Sequence, residues 1–169
     1  TMDLSTMPTP VGSPKSSTLV IDLDGTLTPT DTLVESLITL TRRKPGWLLD
    51  LPSILAKGKA AFKTYVAANS QWAPHDIPVR QDLLEYIREQ RIGGRRIVLA
   101  TAAHESIAYP FADRIGLFDT VIASNSKTNL KGHAKLEAIQ RQVGNDFVYA
   151  GDSSADLPIW QNATAAVLV

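Results

Sequence analysis

The chain has 169 residues, 44% of them hydrophobic and 20% charged, a size and balance that suit one domain able to bury a core and exclude a disordered or fibrous protein. Its 17 Lys and Arg offset its 17 Asp and Glu, so the global charge points to no nucleic-acid partner. The absence of cysteine excludes disulfides, thiolate metal sites and a cysteine nucleophile, leaving oxygen or histidine ligands for any metal.

Residues 1–17 are rich in Ser, Thr, Pro and Gly and read as a flexible lead-in, without the basic-then-apolar order of a signal peptide. The first strand is predicted over Leu19, Val20, Ile21 and Leu23, closed by Asp24-Gly25-Thr26. Residues 29–78 then read as helical. Thr32 to Glu35 has capping-box spacing; Leu33, Val34, Leu37 and Ile38 fall on one face, as do Trp47, Leu48, Leu51, Ile54 and Leu55 in the next segment. This insertion carries Arg42, Arg43, Lys44, Lys57, Lys59 and Lys63 against only Asp50, so it is basic although the protein is neutral.

From there helices and strands alternate. Leu83, Leu84 and Ile87 precede Gly93-Gly94; a strand follows over Ile97 to Ala100; Ile107, Phe111 and Ile115 precede Gly116; a strand covers Thr120 to Ala123; Leu136, Ile139 and Val143 precede Gly144; strands over Phe147 to Ala150 and Ala165 to Val169 complete the series. The pattern predicts an α/β fold: a parallel sheet covered by helices on both faces, built from residues 18–28 and 79–169, with the helical segment inserted after the first strand. No apolar run reaches the ~20 residues that span a bilayer, so the chain is expected to be soluble, and cytoplasmic by default.

In such a sheet the ligand site lies beyond the C-terminal ends of the strands. That rule selects Asp22 and Asp24, Thr101, Ser124 and Asp152. Asp22 and Asp24 lie two positions apart on an extended segment and so share a face. An aspartate can attack phosphorus, and a second carboxyl can protonate the leaving group and then deprotonate water. Gly25 lets the backbone approach a phosphate closely. Two carboxylates beside a phosphate dianion need a divalent cation, and hard oxygen ligands favour Mg2+; Asp22 and Asp152 are the expected ligands, with Asp156 binding through water or orienting the site. Thr101 and the backbone at Ala102 are expected to bind phosphate oxygens. A lysine should balance the charge, Lys135 ahead of Lys131. His75, His104 and His133 have no metal-ligand spacing. Thr101 could equally cap the helix that follows, and the Trp47 to Leu55 stripe could be core rather than a binding face.

The segments Asp22-Leu23-Asp24-Gly25-Thr26, Leu99-Ala100-Thr101, Lys131/Lys135 and Gly151-Asp152-Ser153-Ser154-Ala155-Asp156 resemble, in order, the four motifs of the haloacid dehalogenase superfamily of phosphohydrolases. The resemblance covers residues 19–169. It implies a Rossmann-like core with a small cap, with Asp22 as nucleophile and metal ligand, and Asp24 as acid/base that also ligates the metal through its carbonyl. It further implies phosphate binding by Thr101 and Lys135, and Asp152 completing an Mg2+ site. The strings Thr30-Asp31-Thr32-Leu33, Thr128-Asn129-Leu130-Lys131-Gly132 and Tyr149 to Trp160 are closer still to the haloacid-dehalogenase-like domain associated with UbiA-type membrane prenyltransferases. That likeness implies a prenyltransferase partner, fused or neighbouring, with membrane association through it, and a standalone or excised domain. The expected function is hydrolysis of a phosphomonoester through an aspartyl-phosphate, on a phosphorylated small molecule or a prenyl- or sugar-lipid intermediate, with the basic cap leaning on a membrane. The alternatives are a weakly catalytic docking partner and a phosphotransferase or mutase.

Overall fold

The computed structural model describes residues 17–71 and 76–169. The predicted lead-in, apart from Ser17, and His75 lie outside the described residues. Five parallel strands, β1 (Thr18–Ile21), β2 (Ile97–His104), β3 (Thr120–Ser124), β4 (Phe147–Gly151) and β5 (Ala165–Leu168), form one sheet in the order β3-β2-β1-β4-β5. All four residues of β1 are buried, as expected of a central strand covered on both faces.

Side-chain alternation sorts the apolar residues into two layers. On one face Leu19, Ile21, Ile97, Leu99, Val148 and Ala150 meet Leu83 and Ile87 of α4 (Gln81–Ile92) and Phe111 of α5 (Glu105–Ile115). On the other, Val20, Val98, Ala100, Phe147 and Tyr149 meet Leu136 and Ile139 of α6 (His133–Val143) and Ile159 of α7 (Leu157–Asn162). The chain leaves β1 toward β2 on one side and reaches β4 on the other. The switch point therefore lies between β1 and β4, where the Asp22 amide donates to the Ala150 carbonyl at 2.9 Å.

Between β1 and α4 stand α1 (Thr32–Arg43), a 3-10 turn at Pro45–Leu49, α2 (Leu51–Ala56) and α3 (Lys59–Ser70). They bury a cluster of their own, Leu40, Trp47, Ile54 and Val66, with Phe62 and Tyr65 packed 6.5 and 6.3 Å from the Trp47 ring. The expected apolar faces are only half used. Leu33 and Leu37 pack inward while Val34 and Ile38 stay exposed, and Trp47 and Ile54 are buried while Leu48 and Leu55 are not. Adjacent helical residues diverge by about 100°, and short helices packed on one side cannot bury both.

Three local expectations are corrected. The α1 cap is Asp31, whose Oδ1 accepts the amides of Leu33 (2.9 Å) and Val34 (3.2 Å); Thr32 lies inside the helix, so no capping box forms with Glu35. Strand β2 runs four residues beyond Ala100 to His104, with a register irregularity against β3. The cap of α5 is consequently His104, whose Nδ1 accepts the Ser106 amide at 3.2 Å, rather than Thr101. Among the described residues no helix is long and apolar enough to cross a membrane.

Candidate active site

Asp22 is the first residue beyond β1 and is buried at the sheet's switch point. Its Oδ1 accepts a 2.7 Å hydrogen bond from Lys135 Nζ, and the pair is shielded from solvent on both sides. Lys135 comes from the first turn of α6 and is 2% exposed. The same ammonium donates to the Tyr149 hydroxyl at 2.8 Å and approaches Asp156 Oδ1 at 3.5 Å. Burial pushes the Asp22 carboxyl above its ordinary range; Lys135 opposes that by charge and hydrogen bond, while Asp156 adds to it. Tyr149 is likewise driven upward, first by burial and then by the surrounding carboxylates, and stays a neutral phenol.

Asp24 points toward the start of α1. Thr32 binds both its oxygens, the amide to Oδ1 at 2.9 Å and the hydroxyl to Oδ2 at 3.2 Å, so the cap's first helix holds this side chain from above. Burial raises its pKa to about 6 against the pull of Thr32. A carboxyl that titrates there can give and take a proton near neutrality.

Gly25 sits between the two loops with φ +75°, and an added Cβ would lie 2.5 Å from Asp152 Oδ2 and 2.8 Å from Oδ1. The missing side chain is thus the space that the Asp152 carboxylate occupies. Asp22, Asp24 and Asp152 line one cavity, and their oxygens are the kind of donor that hard divalent cations take. Among the described residues no three His, Asp or Glu side chains form a cage by themselves. Asp156, expected to bind the ion through water or to orient the site, lies buried against Lys135, with its Oδ2 unpartnered among the described residues.

Thr101 is fully buried; its Oγ1 accepts the Ala103 amide at 3.0 Å. The cavity wall there is formed by Ala102 and Ala103. The amides after Thr101 belong to the irregular end of β2 and not to a helix N-terminus, contrary to expectation, because β2 continues to His104. The Ala102 carbonyl is held twice, by Ser124 Oγ at 2.8 Å and by Lys63 Nζ at 2.7 Å. Lys63 reaches down from α3 and also donates to Asn129 Oδ1 at 2.7 Å. Burial lowers its pKa. Sequence reasoning placed Lys63 only among the charges of the cap. The available signal was helical spacing, since Lys59, Phe62 and Lys63 share one face of α3 and all line the cavity. Lys131 lines it too, whereas His104 does not, its Nδ1 being paired with Ser106 Oγ.

The cavity between cap and sheet measures about 710 Å³. Asp22, Asp24, Lys135 and Asp152 form its floor; Leu33, Leu55 and Phe62 form an apolar roof flanked by Lys59 and Lys63.

An aspartate held by a buried lysine at the switch point of a parallel sheet, with a second carboxyl above it and a helical cap over both, defines a capped α/β fold with a candidate hydrolase site. The chain belongs to the haloacid dehalogenase-like hydrolases, whose family model matches residues 19–161. It is 41% identical over 151 residues to the uncharacterised protein y4nM of Sinorhizobium fredii (strain NBRC 101917 / NGR234), a match that covers 89% of this chain but only 29% of that protein. The fold is shared with a substrate-bound phosphoserine phosphatase (TM-score 0.64, 17% identity, 92% and 87% of the two chains). It is shared also with a phosphoserine phosphohydrolase-like protein of Francisella tularensis (TM-score 0.61, 13% identity, 90% and 86%). At these identities the likeness establishes the fold.

Proposed function

We propose that the chain is a Mg2+-dependent phosphomonoester hydrolase that works through an aspartyl-phosphate on Asp22. The observation that carries this reading is the 2.7 Å contact between Lys135 and Asp22 on the floor of a cavity shared with Asp24 and Asp152. Lys135 opposes the burial penalty by charge and hydrogen bond and so favours the ionised form that a nucleophile needs; the other Asp22 oxygen has no side-chain donor among the described residues and is the one that attacks phosphorus. Asp24 protonates the departing alkoxide and then takes the proton of the water that hydrolyses the aspartyl-phosphate. Asp22, the Asp24 carbonyl and Asp152 would hold the Mg2+, which would supply charge neutralisation between carboxylates and phosphate. The main chain at Ala102, in the cavity wall next to the buried Thr101, positions the phosphate oxygens, and Lys131 lines the same cavity.

The apolar roof with Lys59 and Lys63 supports a substrate with a hydrocarbon body and added negative charge, such as a prenyl phosphate or a sugar-lipid phosphate. The outer cap supports delivery from a membrane: Leu49 is 87% exposed, Val34, Ile38, Leu48 and Leu55 are exposed as well, and Arg42, Arg43, Lys44 and Lys57 lie on the same segments. A UbiA-type prenyltransferase is the proposed neighbour, and the greater length of the relative y4nM leaves room for a further domain there.

The test is phosphate release from a panel of small, sugar and prenyl phosphates, with Mg2+ or EDTA, for wild type and Asp22→Asn. Metal-dependent release lost in the variant is the expected result. Equal release by both proteins refutes the mechanism, transfer without net phosphate moves the assignment to a phosphotransferase, and silence across the panel leaves a docking partner. Co-sedimentation with phosphatidylglycerol vesicles, weakened by Leu49→Asp, tests the membrane contact separately.

A further inference from the structure

At the opposite end of the sheet from Asp22, a second cleft of about 490 Å³ is lined by Arg91, Gly94, Arg95, Arg96 and Asp119. It lies where the chain enters β2, since the Arg96 carbonyl accepts the Leu19 amide at 2.9 Å; the length of β1, about 13 Å, separates it from the site above. Three guanidinium groups meet one carboxylate there, and that carboxylate is already committed. Asp119 Oδ1 accepts Arg91 Nη1 at 3.0 Å and its Oδ2 accepts the Ile97 amide at 2.8 Å. Arg96 uses one nitrogen on Thr120 Oγ1 at 3.0 Å. Arg95 is 8% exposed, yet its guanidinium has no hydrogen bond or ion pair among the described residues.

The nitrogens of that group are not among the buried unpartnered atoms, so it keeps contact with water in the cleft and leaves its donors available to an anion. The backbone holds it in place: the Arg95 amide donates to Gln90 O at 3.1 Å, just after Gly94 turns the chain with φ +84°. The cleft therefore carries two positive charges in excess, on groups whose planar donor forks match phosphate oxygens bidentately. None of these residues touches the cavity beneath the cap, so nothing in the hydrolase reading explains them.

We propose that this cleft is a second anion site, which takes a compact soluble phosphate-type polyanion with Arg95 as the central donor and Arg91 and Arg96 on its flanks. The inference does not rest on the activity assigned to Asp22. Pyrophosphate is the probe, titrated into the 15N-labelled full chain at constant ionic strength and followed by amide shifts. Saturable shifts at Gly94, Arg95, Arg96 and Thr120 are expected, with binding weakened about tenfold or more in Arg95→Gln and only partly in Arg95→Lys, which keeps charge but not the fork. Arg96→Gln should weaken binding too, and it carries the test if Arg95→Gln does not fold. Shifts confined to residues around Asp22 and Lys135, shifts that never saturate, or affinities unchanged in both glutamine variants overturn the proposal.

Discussion

Gly25→Ala separates the metal-binding role of Asp152 from the stability of the fold. A methyl group at Gly25 would lie 2.5 to 2.9 Å from the carboxylate atoms of Asp152, and the residue would be held at φ +75°. The left-handed conformation costs an alanine about 1–2 kcal/mol. For a domain of this size that lowers the melting temperature by roughly 2–8 °C. The steric conflict is resolved differently, because Asp152 is exposed and its carboxylate is the free end of a side chain; it swings away and leaves the backbone of the loop in place. Removing the carboxylate from its place beside Asp22 should raise the half-saturating Mg2+ concentration by about tenfold or more, the scale on which disturbed ligand shells act. Thermal melts without metal give the first quantity, and phosphate release against Mg2+ concentration gives the second. Asp152→Ala should reproduce the metal phenotype without the thermal loss, and the double variant should need no more Mg2+ than Asp152→Ala alone. A Gly25→Ala protein that melts lower but saturates at the wild-type Mg2+ concentration would falsify the placement of Asp152 on the ion.

Lys135→Met leaves Asp22 buried without its counter-charge, a loss of about 3–5 kcal/mol in denaturant unfolding at pH 8 and less at pH 5, where the upward-shifted carboxyl is readily protonated; equal stability at both pH values contradicts this pairing. For Asp24 the sign is the reverse of a salt-bridged carboxylate. Its folded pKa of about 6 exceeds the ordinary aspartate value of 3.8, so the metal-free protein loses stability as pH rises between the two, by up to about 3 kcal/mol, and Asp24→Asn should flatten that slope in metal-free denaturation. Trp47→Ala should cost the cap about 3–5 kcal/mol. Its cluster is separate from the two sheet layers, so hydrogen exchange should accelerate across residues 32–70 while β1 and β4 stay protected; uniform acceleration would show that cap and sheet unfold as one.

The sheet was legible because its strands are short apolar runs whose order with the intervening helices leaves few topologies open. Asp22, Asp24, Lys135 and Asp152 were legible for a related reason: each lies at a strand end or in the turn or helix that follows, and in a parallel sheet those positions converge whatever their distance in sequence. The rest depended on contacts that no local pattern carries. Asp31 and Thr32 both offer oxygen at the start of α1, and only the position of Asp24 sends the Thr32 hydroxyl toward the active site and leaves the cap to Asp31. Extension of β2 past Ala100 is set by pairing of His104 with Ser124 on β3, a partner twenty residues away. Lys63 looked like one basic residue among six. What distinguishes it is that α3 packs close enough to the sheet for its ammonium to reach Ala102 and Asn129.

The buried charges also bear on what the fold was shaped to do. Asp22, Lys135 and Asp156 are all nearly inaccessible, and Asp156 retains an oxygen unpartnered among the described residues. Apolar residues of similar volume at these positions would be neutral or stabilising, and the surrounding layers are well supplied with them. Asp22 is carried by the central strand, Lys135 by a helix on one face, and Asp24 is held by the first helix of the cap, so three separately packed elements have to agree for the group to assemble. A structural ion pair needs two side chains, and Lys135 with Asp22 would suffice. The additional carboxyl of Asp24, poised near pH 6 and facing the same cavity, adds nothing to that pair as a stabilising device, which favours the proton-transfer role proposed for it.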